Sequence, residues 1–401
     1  MTKDLSFVVA GSVARDAYPT GSVDVNGSEV TIRNPDGSVV TLEVPNGPIN
    51  PRGGKYDMGR GLEGTVEGSI HHRKAVGGGA PYSLLAIQSA SAVSPLDINL
   101  TYVDACIPHP DILKSFPDGA VDSAFLGWDM LLMQLQSQSS DHLRSLFFAR
   151  YKPPVNLVFP HPETNERIIL KSGGIPEIDG LGFNERHQLE ELIKGSNYMP
   201  YIPRANALLI NGLRDATLAS YLIHLADRHH VNVYFMPTPS LDVDVVRRIL
   251  LKSSQIVLTM MDEEQLNRLT GVGIDDDLGL KVDAIRKVGS WMNFKGFLFV
   301  TLGQEGMYAL DSGGIVQHVF LPPEELARIN YHLKQNKGTT ANAGDVAIGT
   351  ATYADVVALS NGGRRPDIAD LARTASSASL KHLGYHVGDG AFRVEQVRKV
   401  A

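Results

Sequence analysis

The sequence predicts an α/β fold: a doubly wound, mostly parallel sheet flanked by helices, with a β-rich lid over one end. Two observations carry this. Apolar strand-like runs at 6–10, 206–210, 231–235, 255–259 and 297–302 alternate with amphipathic segments at 186–194, 216–228, 241–252, 262–270 and 280–291. Such alternation is the pattern of parallel strands joined by crossover helices. Three stretches, about 17–75, 96–121 and 151–172, break it. They read as β-rich excursions packing together into the lid of one domain spanning 1–401.

Taken in order, the first run is Leu5 to Ala10, a buried-strand pattern leading into Gly11-Ser12 and then Asp16. In the first excursion Val30–Arg33 and Val39–Val44 flank Asn34-Pro35-Asp36-Gly37, a β-hairpin with one apolar and one wet face. The triplet Gly77-Gly78-Gly79 then precedes the helix-like run Leu84, Leu85, Ile87 and Ala90. Pro108, Pro110 and Pro117 mark the second excursion as irregular, and Val155–Phe159 with Arg167–Leu170 form a hairpin-like third. The stretch Phe297 to Leu310, with Gly303 and Gly306 in its middle, reads as strand, glycine turn, strand. These glycine turns fall at strand ends, beyond which such sheets bind ligands.

With 43% apolar and 20% charged residues, the chain is an ordinary globular one. The net charge of −7, with no basic run longer than Arg247-Arg248 or His71–Lys74, argues against a nucleic-acid partner. Cys106 is the only cysteine, which excludes an internal disulfide and a cysteine-rich zinc site. No apolar run approaches the ~20 residues of a membrane span, and residues 1–10 make a poor signal peptide. A cytoplasmic location, with no membrane partner, is expected.

The most informative stretch for function is Thr339-Thr340-Ala341-Asn342-Ala343-Gly344-Asp345, which runs into the helical pattern Ile348, Ala351, Ala354, Val357 and Leu359. Backbone N–H groups at a helix start suit phosphate oxygens. A carboxylate beside them can take a proton from an attacking hydroxyl. The structural alternative is a glycine turn with Asp345 as the helix N-cap.

Together with Gly11–Asp16, the Gly77–Gly79 turn and the Thr301–Gly306 segment, in this order, the stretch resembles the ribokinase (PfkB-like) carbohydrate kinase family. A weaker match is Phe125-Leu126-Gly127-Trp128-Asp129. The resemblance spans Gly11 to about Gly384. It implies ATP-dependent phosphorylation of a sugar, nucleoside or related polyol, with Mg2+ and a β lid covering the sugar. Asp345 would be the catalytic base, and Asn342, Ala343 and Gly344 the anion hole. Asp16 would bind two hydroxyls of the acceptor, with Gly77, Gly78, Gly79 and Tyr82 lining its site. Thr301, Gly303, Gly306 and Ser379 would meet the nucleotide, and Asp262 would reach the metal through water. Several have a plainer reading. Asp16 can cap a turn at Tyr18-Pro19, the 303–306 turn can be a tight hairpin, and Asp262 can cap a helix whose first turn is acidic.

The sequence also departs from the family's pattern. Asn342 replaces a glycine, Thr339 an aspartate and Tyr82 a substrate-contacting asparagine; Gln265 replaces a glutamate, and Phe235-Met236-Pro237 lacks an aspartate before the proline. Asparagine tolerates left-handed backbone angles, so the turn at 342 can survive. The departures keep a second reading open, a catalytically weak or inactive sugar- or nucleotide-binding protein. The lengthened first excursion further suggests homodimer contacts through the lid. His71-His72 and His229-His230 are adjacent pairs without the helical spacing of a metal site, and Asp275–Asp277 lacks the alternation of a calcium loop.

Overall fold

The computed structural model describes residues 4–11, 14–45, 47–51, 53–59, 61–92, 96–104, 143–147, 155–164, 167–172, 202–213, 216–238, 241–273, 276–293, 295–335, 342–387 and 389–397. The N-terminal half holds β1 (Leu5–Ala10), β2 (Ala14–Pro19), β3 (Ser22–Asn26), β4 (Glu29–Arg33), β5 (Val39–Glu43), β6 (Gly54–Asp57), α1 (Gly61–Ser69), β7 (His72–Gly77), α2 (Gly79–Ser91), β8 (Ile98–Asp104), β9 (Leu143–Phe147), β10 (Val155–Pro160) and β11 (Arg167–Lys171). The remainder holds β12 (Ala207–Asn211), α3 (Ala216–His229), β13 (Asn232–Met236), α4 (Val243–Lys252), β14 (Ile256–Asp262), α5 (Glu263–Thr270), α6 (Leu278–Trp291), β15 (Phe297–Thr301), β16 (Met307–Leu310), β17 (Val316–Phe320), α7 (Pro323–Gln335), α8 (Ala343–Ser360), α9 (Ile368–His382) and β18 (Arg393–Val397).

The strands form a ten-stranded sheet in the order β18-β17-β16-β15-β14-β13-β12-β1-β8-β9. It is parallel from β15 to β9 and antiparallel from β15 to β18. Alternation along β1 divides the core. Phe7 and Val9 pack with α2, α8 and α9, while Val8 and Ala10 pack with α3, α4 and α6 on the other face. Helices on both faces explain why these strands read as continuous apolar runs. Aspartates start four of the helices: Asp242, Asp262, Asp277 and Asp367 each accept a backbone N–H from the first turn. No helix among the described residues is long and apolar enough to cross a membrane.

A five-stranded sheet, β6-β11-β10-β2-β7, forms the lid, and β3-β4-β5 make a separate three-stranded sheet. Val30, Ile32 and Leu42 of the small sheet bury against Ala17, Leu157, Phe159, Ile168 and Leu170 of the lid. One expected boundary is corrected. Ile98–Asp104, assigned from sequence to the second excursion, is β8, pairing in parallel with β1 (Phe7 opposite Leu100). Its Ile98 and Leu100 bury in the main core with α2, where a central strand finds more apolar cover than a lid strand would. Residues 105–121, the 186–194 segment, the 125–129 match and Thr339 lie outside the described residues.

Candidate active site

The chain order of the sheet reverses beside β1, which has β8 on one side and β12 on the other. In open α/β sheets the crevice beyond the carboxyl ends at such a point takes the ligand. Here the two strand ends touch: a Cβ on Gly11 would lie 1.8 Å from the carbonyl oxygen of Asn211. Buried Asn211 donates from Nδ2 to Asp345 Oδ1 at 3.0 Å and to Ser83 Oγ at 2.8 Å. Ser83 Oγ in turn donates to the Asp345 carbonyl at 2.8 Å. Helices α2 and α8 come this close because residue 349 is glycine; a Cβ there would meet the Ser83 carbonyl at 2.5 Å. Strand β12 and helix α2 therefore hold Asp345 at the crevice.

Asp345 is not the N-cap. That position is Asn342, in the left-handed region at φ 62° and without a side-chain capping bond. The first intrahelical bond of α8 runs from Val346 N to Asn342 O. The N–H groups of Ala343, Gly344 and Asp345 therefore precede the helix's own ladder and are available to an anion. They open onto a cavity of about 430 Å³, within the range of small-molecule sites. Its wall joins Asn342 to Asp345, Thr301, Gly303, Gly306, Asp262 and Ser379. Ser379 Oγ donates to the Ala343 carbonyl at 2.7 Å, tying α9 to the loop. Leu302 N donates to Gly306 O, closing a tight turn between the antiparallel β15 and β16, as the hairpin reading requires. Apolar side chains from α7, including Leu326 and Ile329, and Phe320 complete the wall.

The lid supplies Lys55, Thr164 and Arg167 to the same cavity. Lys55 Nζ lies 3.6 Å from Asp262 Oδ2. Asp262 Oδ1 caps α5 in a reciprocal box with Gln265, so the plainer reading of this residue describes its geometry. Gln265 also donates to the Pro237 carbonyl, a structural use of the side chain. Among the described residues no group of three or more Asp, Glu, His or Cys is arranged to hold a metal.

Asp16, the Gly77–Gly79 turn and Tyr82 form a second cluster beside the cavity and off its described wall. A Cβ on Gly77 would fall 2.0 Å from Asp16 Oδ1, and one on Gly79 2.4 Å from Asn211 Oδ1. The backbone thus presses directly on both polar groups. Gly78 adopts φ 97°, which other residues resist. Buried Asp16 accepts a hydrogen bond from Asn156 Nδ2 at 2.8 Å. The Tyr82 ring meets His382 edge-on with centroids 5.7 Å apart. Burial holds its phenol well above the ordinary range, reinforced by Tyr18, Asp16 and Asp345. Tyr82 is therefore within electrostatic reach of both carboxylates. Burial, then Asp16, pushes the Tyr18 phenol up to about 12, and Arg73 stands 5.5 Å over its ring.

Asn211, Ser83, Asn156, Lys55 and Arg167 escaped the sequence reading. Asn211-Gly212 directly follows the apolar run of β12, and a polar residue at the carboxyl end of a buried strand was a usable signal. Nothing local marks Lys55 or Arg167, which reach the site only through lid pairing.

The ten-stranded sheet, its crevice beside β1 and the separate β lid make this a ribokinase-like α/β fold. Solved structures agree along nearly the whole chain. Giardia lamblia ribokinase is 15% identical, with 97% of each chain covered and a TM-score of 0.59. Arabidopsis thaliana ribokinase, complexed with ribose and ATP, is 14% identical over 97% of this chain and 96% of that one, with a TM-score of 0.54. Escherichia coli phosphofructokinase-2 is 14% identical over 95% and 94%, with a TM-score of 0.53. At these identities the likeness is one of fold. No protein-family model matches the sequence, and no curated protein does.

Proposed function

We propose that the protein transfers the γ-phosphoryl group of ATP to a hydroxyl of a sugar, nucleoside or related polyol. The observation that carries this is the position of Asp345: in the first turn of α8, on the wall of the cavity, with its carboxylate oriented by Asn211. Phosphoryl transfer asks the protein chiefly for positioning and charge stabilisation. The N–H groups of Ala343 and Gly344 bind the terminal phosphate, and Asp345 accepts the proton of the attacking hydroxyl. Asp16 orients the acceptor through hydroxyl hydrogen bonds, and the apolar wall from α7 takes the nucleoside. Lys55 and Arg167 of the lid offset phosphate charge and help exclude water.

Mg2+ fits this wall, because that ion is commonly held by one or two carboxylates, water and the nucleotide's own phosphates. Asp262 and Asp345 are the carboxylates on the described wall, and Asp262 would reach the ion through water. When bound, the ion neutralises phosphate charge. The fold neighbours support a kinase in general, and the Arabidopsis ribokinase complex with ribose and ATP suggests the ligand classes. The test is Asp345→Asn, assayed for ADP release across sugars and nucleosides. Turnover is expected to fall by roughly a hundred- to ten-thousandfold, with nucleotide affinity nearly unchanged. Unaltered acceptor-dependent ADP release would rule the mechanism out.

Tyr82 favours a second reading. A half-buried ring within electrostatic reach of both Asp16 and Asp345 occupies space near the proposed reacting groups, as in a binding protein with little turnover. Melting shifts with ligands but no ADP release from any acceptor would select it.

A further inference from the structure

The lid sheet has two unlike faces. Val155, Leu157 and Phe159 of β10, with Ala17 of β2 and Ile168 and Leu170 of β11, point into the lid's own apolar cluster. Side chains alternate along a strand, so Asn156 and its register partner Asp16 share the opposite face. That face meets the Gly77 backbone just before α2, where a Cβ would fall 2.0 Å from Asp16 Oδ1.

Asn156 is 7% exposed. Its Nδ2 donates to Asp16 Oδ1 at 2.8 Å. This bond fixes which way the amide points, because the flipped amide would set a carbonyl against a carboxylate. The amide oxygen Oδ1 then remains buried with no hydrogen-bond partner among the described residues. Buried acceptors without donors are rare in native folds and destabilising, so such an atom beside the Asp16 carboxylate points to a donor carried by a ligand.

We infer that Asn156 is a specificity-determining residue for the acceptor. Its Oδ1 takes one hydroxyl hydrogen while the Asp16 carboxylate takes another, so the site selects polyols presenting two neighbouring hydroxyls on one face. This rests on the reading of Asp16 as an acceptor-binding group and deepens it. Asn156 also holds Asp16 in position through Nδ2.

The experiment uses the full chain without nucleotide. Affinities of D-ribose, D-fructose and their monodeoxy analogues are read from melting shifts of wild type, Asn156→Ala and Asn156→Ser. Serine keeps a donor for Asp16 but lacks the amide oxygen, and carries the test should the alanine variant fold poorly. At least one parent sugar is expected to bind wild type. Removing one particular hydroxyl from it should weaken binding about tenfold, as should either substitution. The substituted protein should bind the parent and that deoxy analogue equally, since residue and hydroxyl are two halves of one contact. Equal weakening of the parent and every analogue would reduce Asn156 to a structural role and overturn the inference. So would a wild type whose melting point no polyol moves. Persisting hydroxyl discrimination, with no ADP release when the same sugars are assayed separately with ATP, would sink the kinase reading alone. Turnover with discrimination unaltered in the Asn156 variants would sink only this inference.

Discussion

The geometry at Gly77 shows how a single missing side chain shapes the site. Its Cα hydrogen faces the Asp16 carboxylate, and any Cβ would overlap it at 2.0 Å. Gly77→Ala is therefore expected to push Asp16 aside and weaken polyol binding at least tenfold, while nucleotide-induced melting shifts persist. Isothermal titration with each ligand checks this, and unchanged polyol affinity would count against the placement. The tyrosine nearby makes a pH prediction. An unfolded Tyr18 ionises near its ordinary value of 10, while the folded residue keeps its proton until about 12. The unfolded chain thus releases this proton first, so stability present below pH 10 is lost as pH rises through the 10–12 window. Urea midpoints should fall across that window, and less steeply in Tyr18→Phe. Both residues were visible in the sequence, but nothing there revealed that Tyr18 and Asp16 share a desolvated space. That follows from the closure of the lid onto α2.

Among the elements, the start of α5 carries two functions that mutation can separate. Asp262 caps the helix through Oδ1 and meets Lys55 through Oδ2. Asparagine also caps well, whereas alanine does not. Asp262→Ala should lose about 1 kcal/mol of stability, and the partly exposed Lys55 pair adds about 0–1 kcal/mol. Asp262→Asn should keep most of the stability but raise the magnesium concentration needed for half-maximal turnover. Denaturant melts and a magnesium titration read the two effects apart; an unmoved magnesium requirement would leave Asp262 as a cap alone. The cap was legible as an acid before Glu263 and Glu264. The Lys55 partner was not, because Lys55 sits on β6 and reaches the site only through the pairing of β6 with β11.

For the molecule as a whole, charge is unevenly placed. The chain carries a net −7, yet Lys55 and Arg167 face the cavity at the N-terminus of α8. Positive side chains in a partly enclosed site attract phosphate more strongly than they would in open water. Arg167→Ala should raise the KM for ATP several-fold, with the larger effect at low ionic strength. Steady-state kinetics at two salt concentrations test this, and a salt-independent, unchanged KM would remove Arg167 from the donor site.

The alternation of strand and helix, the glycine turns at strand ends and the acid opening α8 were readable in the chain, because hydrophobic period and turn chemistry are local properties. Segment 98–104 went to the wrong layer: an apolar strand carries no mark of which sheet will pair with it. Asn211, Asn156 and Lys55 became candidates only when strands distant in sequence were brought into register. Their chemistry depends on partners that tertiary packing alone supplies.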